Sequence, residues 1–240
     1  MLTSNRWSLW IDVEGFSAIY LTDETRALLA IGSLMEAIFK VGSSMRGHSS
    51  RLFAHQFGDG FVIVSDFPED SAERPLAIAI SLMRHLLAQG IVCKAAVACG
   101  GFADVKGCYS EIVMTECKNS AVVSMGEGLM TIIPVMGTAL ITSHNLSRER
   151  RGSVLLIQED CFQTLPDKTV IRTRSPTVVD WIHSDLDLSR RVSATANLMY
   201  LDTATAEVSL RNYIEAHGAS VGSPWVSATL ESNGMQARRS

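Results

Sequence analysis

The chain has 240 residues, of which 47% are hydrophobic and 19% are charged, and its formal net charge is −4. This length can bury a sizeable core, as one domain with an appendage or as two small domains. An acidic chain without a run of Lys and Arg disfavours duplex DNA or RNA as a partner. An acidic protein that binds a polyanionic substrate needs cations to neutralise it, which is a first indication of metal chemistry.

The cysteine content and the N-terminal residues both indicate the cellular compartment of the protein. The five cysteines are odd in number and form no C-x-x-C pair, which argues against a disulfide framework and a zinc cluster and fits a reducing cytosol. The first residues lack the basic flank and apolar stretch of a secretory signal. No run reaches the roughly 18 apolar residues of a membrane span. We therefore expect a soluble, cytoplasmic protein without a membrane partner.

The first hundred residues predict six elements in alternating order. Residues 7–13 alternate like a strand, and apolar spacing predicts a helix over 23–45. Residues 51–57 and 61–65 form two strands around Gly58-Asp59-Gly60, which reads as a hairpin. A second helix begins at 68–73 and ends at Gly90, and a strand covers 91–100. The order β-α-β-β-α-β predicts an α+β, ferredoxin-like fold, an antiparallel sheet with two helices on one face.

The remainder is less regular. Residues 107–125 have some helical character, 128–136 read as an edge or bulged strand with Pro134, and 137–150 read as a helix. A strand at 154–158, a hairpin of 169–174 and 178–184, and a largely helical stretch at 185–217 follow. The last 20 or so residues are Ser/Gly-rich, with Trp225 as an anchor. We divide the chain into a catalytic domain, 1–165, and a C-terminal hairpin and helical extension, 166–240, that packs on the core or on a dimer partner.

Two acidic residues are candidates for metal chemistry. Asp12 lies near the end of the first strand, and Asp59 lies in the turn of the hairpin that pairs with it. Two Mg²⁺ or Mn²⁺ ions between these carboxylates could activate an attacking oxygen and stabilise a leaving one, with the carbonyl of Val13 as a further ligand. The structural alternative is that Asp59 only forms the turn, but a carboxylate inside an apolar strand is rarely left unpaired.

The turn after the first strand is a candidate phosphate site. Gly15, Phe16 and Ser17 open the first helix, where unpaired backbone N–H groups and the helix dipole favour an anion. The alternative is an ordinary helix start that Ser17 caps.

These motifs resemble those of a known family. IDVEGFS and FGDGFVIV are similar to the two metal-binding signatures of class III nucleotide cyclases, and IVCKAAVACGGF and VMGTALITSHNLSRE resemble weaker motifs of that family. The resemblance covers roughly residues 7–160. It implies transfer of the α-phosphate to the ribose 3′-hydroxyl of the same nucleotide with loss of pyrophosphate. It also implies metal binding by Asp12, Val13 and Asp59, and triphosphate binding by Gly15, Phe16 and Ser17.

The base-reading positions depart from the purine cyclases of that family. His55 stands where a Lys or Glu reads the base, and the second base-reading acid falls near Pro134. The chain most resembles the bacterial pyrimidine cyclases of Pycsar anti-phage systems, which implies UTP, or alternatively CTP, as substrate. His55 could hydrogen-bond a pyrimidine edge, or it could be a packed or solvated histidine.

The later helix of the family supplies an Asn and an Arg that fall near Ile141 and Asn145 here, so the transition-state cation is missing. Lys94, Arg148 and Arg150 are possible replacements, or ordinary surface charges, and Arg51 could touch phosphate or base. The resemblance implies a homodimer with shared active sites and a product that acts on a separate effector in antiviral defence.

The alternatives to a nucleotide cyclase are a binding module, either a ligand sensor or an RNA-recognition domain, and another enzyme built on the same frame. A ligand sensor without catalysis would use the same frame, and Asp59→Ala would leave its ligand affinity almost unchanged. An RNA-recognition domain needs exposed aromatics and a positive face, yet aromatic residues are only 7% here. Polymerases and diguanylate cyclases also place two acids on this frame, but the chain has neither an evident nucleic-acid channel nor a Gly-Gly-Asp-Glu-Phe signature.

Overall fold

The computed structural model describes residues 4–45, 51–104, 109–117, 122–125, 127–132 and 135–236. The strands are β1 (Ser4–Val13), β2 (Leu52–Phe57), β3 (Gly60–Ser65), β4 (Cys93–Asp104), β5 (Val122–Met125), β6 (Gly128–Thr131), β7 (Val135–Met136), β8 (Leu155–Ile157), β9 (Ile171–Arg174) and β10 (Thr177–Val179). The helices are α1 (Phe16–Thr22), α2 (Glu24–Ser44), α3 (Glu73–Leu87), α4 (Glu111–Cys117), α5 (Thr138–Ser147), α6 (Asp187–Thr195), α7 (Thr203–Val221) and α8 (Ser223–Ser232).

One large sheet organises the chain, with strand order β2-β3-β1-β4-β8-β10-β9 and with β7 paired to β4. The first four strands are antiparallel and follow the ferredoxin-like order, with β1 between β3 and β4. The α+β, ferredoxin-like prediction is therefore confirmed. Strand β8 runs parallel to β4 and extends the sheet toward the C-terminal strands.

The two faces of the sheet are covered differently. Helices α2 and α3 pack on one face, where side chains of β1, β3 and β4 join theirs in the main apolar core. On the other face, α5 lies across β1, and the hydroxyl of Ser8 donates to the carbonyl of Ala139 at 2.6 Å. A smaller apolar cluster of Trp10, Val62, Val64, Phe102 and Val135 lies there.

A buried arginine of α3 connects the C-terminal region to this core. Arg84 of α3 is 1% exposed, and its guanidinium donates to the carbonyls of Trp181, Ile182, Ser184 and Leu201. Burial lowers the pKa of Arg84. These bonds tie the chain after β10 to α3, and β10 also pairs with β8. Residues 166–240 thus share the sheet and core with the preceding residues, and the division at residue 165 stays a proposal.

Several element predictions are corrected. The helix predicted over 23–45 is preceded by a separate helix, α1, because Asp23 accepts from the N–H of Arg26 and starts α2. The single strand predicted over 128–136 is wrong: β6 pairs with β5 in a separate two-stranded sheet, whereas β7 pairs with β4. Pro134 lies outside the described residues. The Ser/Gly-rich end contains α8, with Trp225 buried in the core.

The expectation of no disulfide is also corrected. Cys99 and Cys161 form a disulfide with their Cα atoms 5.8 Å apart, although 62 positions separate them. Strand β4 and the turn after β8 bring the two cysteines together, which their spacing could not indicate. Cysteine content therefore gives no support for a reducing compartment, and the cytoplasmic location stays a prediction.

One helix bears on the membrane prediction. By length and composition alone, α2 could cross a membrane, which is weak evidence because core helices pass the same test. Six residues of α2 are buried in the protein: Ala27, Ala30, Leu34, Ala37, Ile38 and Val41.

Candidate active site

The candidate site begins with Asp12, the penultimate residue of β1. Asp12 lies opposite Gly60 of β3 on one side and opposite Lys94 of β4 on the other. Because residues of a strand alternate between faces, Asp12 shares its face with Ser8 and Trp10, away from α2 and α3. The site therefore lies on the face that α5 partly covers.

The hairpin turn brings Asp59 to the same end of the sheet. Asp59 occupies the two-residue turn with Gly58, whose φ of +63° favours glycine, and it directly precedes Gly60. Since Gly60 is the register partner of Asp12, the Cα atoms of the two aspartates lie within roughly 9 Å. The sheet thus places the backbones of the two aspartates at the same end of β1 and β3, and their joint role in metal binding stays a prediction.

The carboxyl group of Asp12 has an unusual environment. Its Oδ2 accepts a hydrogen bond from Trp10 Nε1 at 3.2 Å, and its Oδ1 is buried without a hydrogen-bond partner. The pKa of Asp12 is raised to about 6, mainly by burial. The charges of Glu14 and Asp59 contribute to this rise, and the Trp10 hydrogen bond and Lys94 oppose it. An orphaned, buried carboxylate oxygen is costly unless a cation or donor satisfies it.

The absence of a side chain at Gly60 leaves room for the Trp10 ring. A Cβ atom added to Gly60 would lie 2.8 Å from Trp10 Cζ2, so a larger residue would displace the indole. The ring also packs against Phe57 at 5.9 Å and against His144 of α5 at 4.6 Å between centroids. These contacts hold the indole N–H beside Asp12, and sequence reasoning missed both Trp10 and Gly60 as site residues.

The residues present fit a magnesium or manganese site completed by substrate. Among the described residues, no group of three or more His, Cys, Asp and Glu side chains could hold a metal ion. Mg²⁺ commonly uses only one or two carboxylates together with substrate phosphates and water. The unpartnered Asp12 oxygen and the nearby Asp59 supply that donor set. Val13, the last residue of β1, turns its side chain into the core, so only its backbone could contribute.

Glu14 links the site to the C-terminal extension. Its carboxylate pairs with Lys94 Nζ at 3.0 Å, with both side chains mostly buried, and it accepts from Trp225 Nε1 at 3.0 Å. Lys94 is therefore bound beside Asp12 rather than free to reach a substrate. No local pattern indicates the contact of Trp225 with Glu14, because 211 positions separate the two residues.

The residues predicted to bind the triphosphate, Gly15, Phe16 and Ser17, come directly after Glu14 in the chain. Gly15 has a φ of +75°, which turns the chain from β1 into α1. Phe16 is partly buried against the core, its ring 5.6 Å from Tyr20, and Ser17 is exposed. The alternative role of Ser17 as helix cap is not seen, since Gly15 occupies the cap position.

The base and ribose candidates divide into two groups. His55 lies opposite Val62, which lies opposite Trp10, so His55 shares the face of Asp12, with its ring 6.4 Å from Phe102. Arg51 is at the other end of the hairpin from Asp59, where it pairs with Asp66. The structure therefore brings His55, but not Arg51, toward the aspartates.

Three further candidates, Asn145, Arg148 and Arg150, lie on α5 or just after it. Asn145 is exposed and lines a cavity of about 760 Å³ between α5, the end of β8 and the β9–β10 turn, together with Gln158 and Arg174. Arg148 is exposed at the end of α5, and Arg150 lies 3.8 Å from Glu231. None of these three is a strand residue, so the sheet register does not place them relative to Asp12. Asn145 directly follows His144, whose ring packs on Trp10 at 4.6 Å.

Comparisons with known proteins give fold-level likenesses. No protein-family model matches the chain, and no curated protein matches it. Among solved structures, the guanylyl cyclase Cya2 aligns over 75% of this chain and 92% of its own, at 12% identity and a TM-score of 0.45. The adenylyl cyclase CyaB from P. aeruginosa aligns over 75% and 94%, at 12% identity and 0.44. A class III adenylyl cyclase-like ATP-binding protein from Pseudomonas aeruginosa aligns over 79% and 40%, at 12% identity and 0.44. Likenesses at this level leave the activity of this chain to be inferred from its own residues.

Proposed function

We propose that this chain is a pyrimidine nucleotide cyclase that converts UTP to 3′,5′-cyclic UMP and pyrophosphate. The observation that supports this function is the buried, unpartnered oxygen of Asp12 beside a second carboxylate, Asp59, on a ferredoxin-like sheet. Two divalent ions, Mn²⁺ or Mg²⁺, held by Asp12, Asp59 and the Val13 carbonyl, would supply charge neutralisation for the triphosphate and for the attacking oxygen.

The reaction closes a ring within one nucleotide. The 3′-oxygen forms a bond to the α-phosphorus, the bond from that phosphorus to the bridging oxygen breaks, and pyrophosphate leaves while the 3′-hydroxyl proton passes to solvent. The chain's part is mainly alignment and electrostatics. Trp10 orients the Asp12 carboxylate, and the N–H groups of Gly15, Phe16 and Ser17 at the turn into α1 donate to the triphosphate.

The choice of a pyrimidine depends on His55 and on the family resemblance. His55 replaces the purine-reading Lys or Glu and lies on the site face, two residues along the sheet from the row of Asp12. An imidazole can donate to or accept from a pyrimidine edge. CTP, giving cyclic CMP, is the alternative substrate. The resemblance further suggests that the product is a second messenger that acts on a separate effector in antiviral defence.

A homodimer with shared sites is supported by exposed apolar side chains on α5 and on β5–β7. Met125, Leu129, Met136 and Ile141 are 55, 70, 53 and 48% exposed, on β5–β7 and on α5, the helix that covers part of the site face. Apolar exposure of this extent favours a partner. Asn145 lines the cavity beside the β9–β10 turn, and in an assembly with shared sites a partner's helix would supply the ribose contact.

A nucleotide sensor without catalysis is the second candidate. It is favoured by the ion pair of Lys94 with Glu14, because Lys94 is the cationic residue opposite Asp12 on β4 and this pair engages it. A sensor would bind the nucleotide through the same turn and face but would release it unchanged.

Incubation of the purified chain with each of the four nucleoside triphosphates and Mn²⁺, followed by mass spectrometry, tests the proposal. We expect cyclic UMP and pyrophosphate from UTP, no product with Asp59→Ala, and unchanged turnover with Asp167→Ala, which removes an exposed aspartate elsewhere. A cyclic purine product would overturn the pyrimidine assignment. Binding of UTP without any product would favour the sensor.

A further inference from the structure

Helix α2 presents an apolar face to solvent, on the side opposite to the sheet. Leu28, Met35 and Phe39 are 52, 44 and 71% exposed, with Leu21 and Leu29 nearby at 86 and 66%. Glu36 and Lys40 flank this face and pair with each other at 2.6 Å. A contiguous exposed apolar surface of this kind usually marks a site of interaction with a partner.

Large and small residues follow a regular spacing on this face of α2. Leu28, Gly32, Met35, Phe39 and Gly42 follow one another at alternating spacings of four and three residues, which is the seam of two packed helices. We name these five residues the α2 seam. A Cβ atom added to Gly32 or Gly42 would meet no atom of the described residues within 4 Å, so each glycine leaves a hollow on this part of the surface.

The α2 seam is complementary to itself when its direction is reversed. In an antiparallel pair centred on Met35, Leu28 lies opposite Gly42 of a second copy, and Phe39 lies within one residue of the level of Gly32. Each large side chain then meets a hollow, and two Met35 side chains meet on the two-fold axis. We propose that the α2 seam is an isologous interface through which two copies of this chain associate about a two-fold axis.

The available area and charge agree with a second copy as the occupant. A large apolar side chain presents on the order of 150 Å². The three large side chains of the α2 seam, together with Leu29 and with Leu21 of α1, therefore offer on the order of 500 Å² per copy. Two copies reach the total of about 1,000 Å² expected of a biological interface. The Glu36–Lys40 pair neutralises itself within each helix, so approach of an identical helix brings no net like-charge repulsion.

This interface is distinct from the one that shared active sites require. Helix α2 buries its inner residues toward the sheet face that carries Ile11, whereas Asp12 points to the opposite face. An assembly that used both surfaces would contain more than two copies. The α2 contact does not depend on the proposed cyclase activity.

Cysteine cross-linking tests the proposed axis. In the full chain, Met35→Cys places a thiol where two copies meet, so mild oxidation with diamide should give a covalent dimer about ten-fold faster or more than in the Val208→Cys chain, because of the raised local concentration. Val208 is an exposed position on α7, at 57%. The unsubstituted chain controls for its own cysteines.

A second substitution separates loss of the interface from loss of the fold. Gly32→Leu fills the hollow and favours the helix, so it should keep or raise the melting temperature while it removes the rapid cross-link of Met35→Cys. Equal cross-linking rates for Met35→Cys and Val208→Cys would overturn the proposal. Flotation of the unsubstituted chain with phosphatidylcholine and phosphatidylglycerol vesicles, without the cross-link, would assign the face to lipid instead.

Discussion

Strand β1 contributes to two regions of the molecule that differ in what they contain. Among the β1 side chains that the structure describes, those directed toward α2 and α3 are apolar and almost fully buried: Trp7, Leu9, Ile11 and Val13. Toward α5 the strand presents Ser8, Trp10 and Asp12, of which the last has a buried oxygen without a partner. One face is built to exclude water, and the other keeps an acid that is costly to bury.

This difference separates stability from chemistry within one strand. Because side chains alternate between faces, neighbouring residues such as Ile11 and Asp12 lie in unlike surroundings although their backbones are adjacent. Substitutions on the core face should change stability with little effect on the site, and substitutions on the site face should do the reverse. The following four expectations test that separation.

The largest effect is expected from Asp59→Ala. Loss of a carboxylate that would hold divalent ions should reduce cyclic nucleotide formation on the order of 10³-fold, about 4 kcal/mol of transition-state stabilisation. The free energy of unfolding should change by no more than about 0.5 kcal/mol, since Asp59 lies in a turn. Turnover assays and urea denaturation measure the two quantities, and retention of a tenth of the activity would contradict the metal role.

Ile11→Ala should have the opposite profile. Removal of a fully buried side chain costs about 2–5 kcal/mol in the free energy of unfolding. The affinity for Mn²⁺ in the remaining folded protein should stay within about two-fold, because the side chain points away from Asp12. Urea denaturation and Mn²⁺ titration measure these effects, with Val208→Ala as an exposed control. A large loss of Mn²⁺ affinity would show that the faces are coupled.

Asp12→Asn should stabilise the metal-free protein while it removes activity. The pKa of Asp12 is raised from 3.8 to about 6 by burial, so ionisation between pH 4 and 6 destabilises the folded state. The wild-type protein therefore loses up to about 3 kcal/mol as pH rises through this window, and the amide escapes that loss. The variant should be more stable at pH 7.5 and equal near pH 4.

Thermal unfolding across pH measures this gain, and addition of Mn²⁺ supplies the control. Mn²⁺ should raise the melting temperature of the wild-type protein but not that of Asp12→Asn, because binding to the folded state alone stabilises it. A variant that is less stable than wild type at pH 7.5 would show that the Asp12 carboxylate is a structural group.

Trp10→Phe should have the smallest effect. It keeps an aromatic ring against Gly60 but removes the N–H that donates to Asp12, which is worth about 1 kcal/mol, or roughly five-fold to ten-fold in turnover. Since that hydrogen bond lowers the pKa of Asp12, its loss should raise the pH midpoint for Mn²⁺ binding. An unchanged midpoint would show that Trp10 only fills space.

The local predictions succeeded where neighbouring residues decide the structure. The alternation of 7–13, the Gly58-Asp59 turn and the helix that ends near Gly90 each follow from short-range pattern, and all are present. The strand predicted over 128–136 was wrong because an apolar run does not say which strand pairs with it. β6 pairs with β5, whereas β7 pairs with β4.

Residue periodicity and turn chemistry are local properties, so the ferredoxin-like order and the candidates Asp12 and Asp59 could be predicted from the sequence. The folded chain was needed to show that Trp10 donates to Asp12, that Glu14 binds both Lys94 and Trp225, and that Cys99 and Cys161 form a disulfide. Those contacts depend on side-chain packing and on chain segments up to 211 positions apart, and no local pattern specifies which distant residues meet.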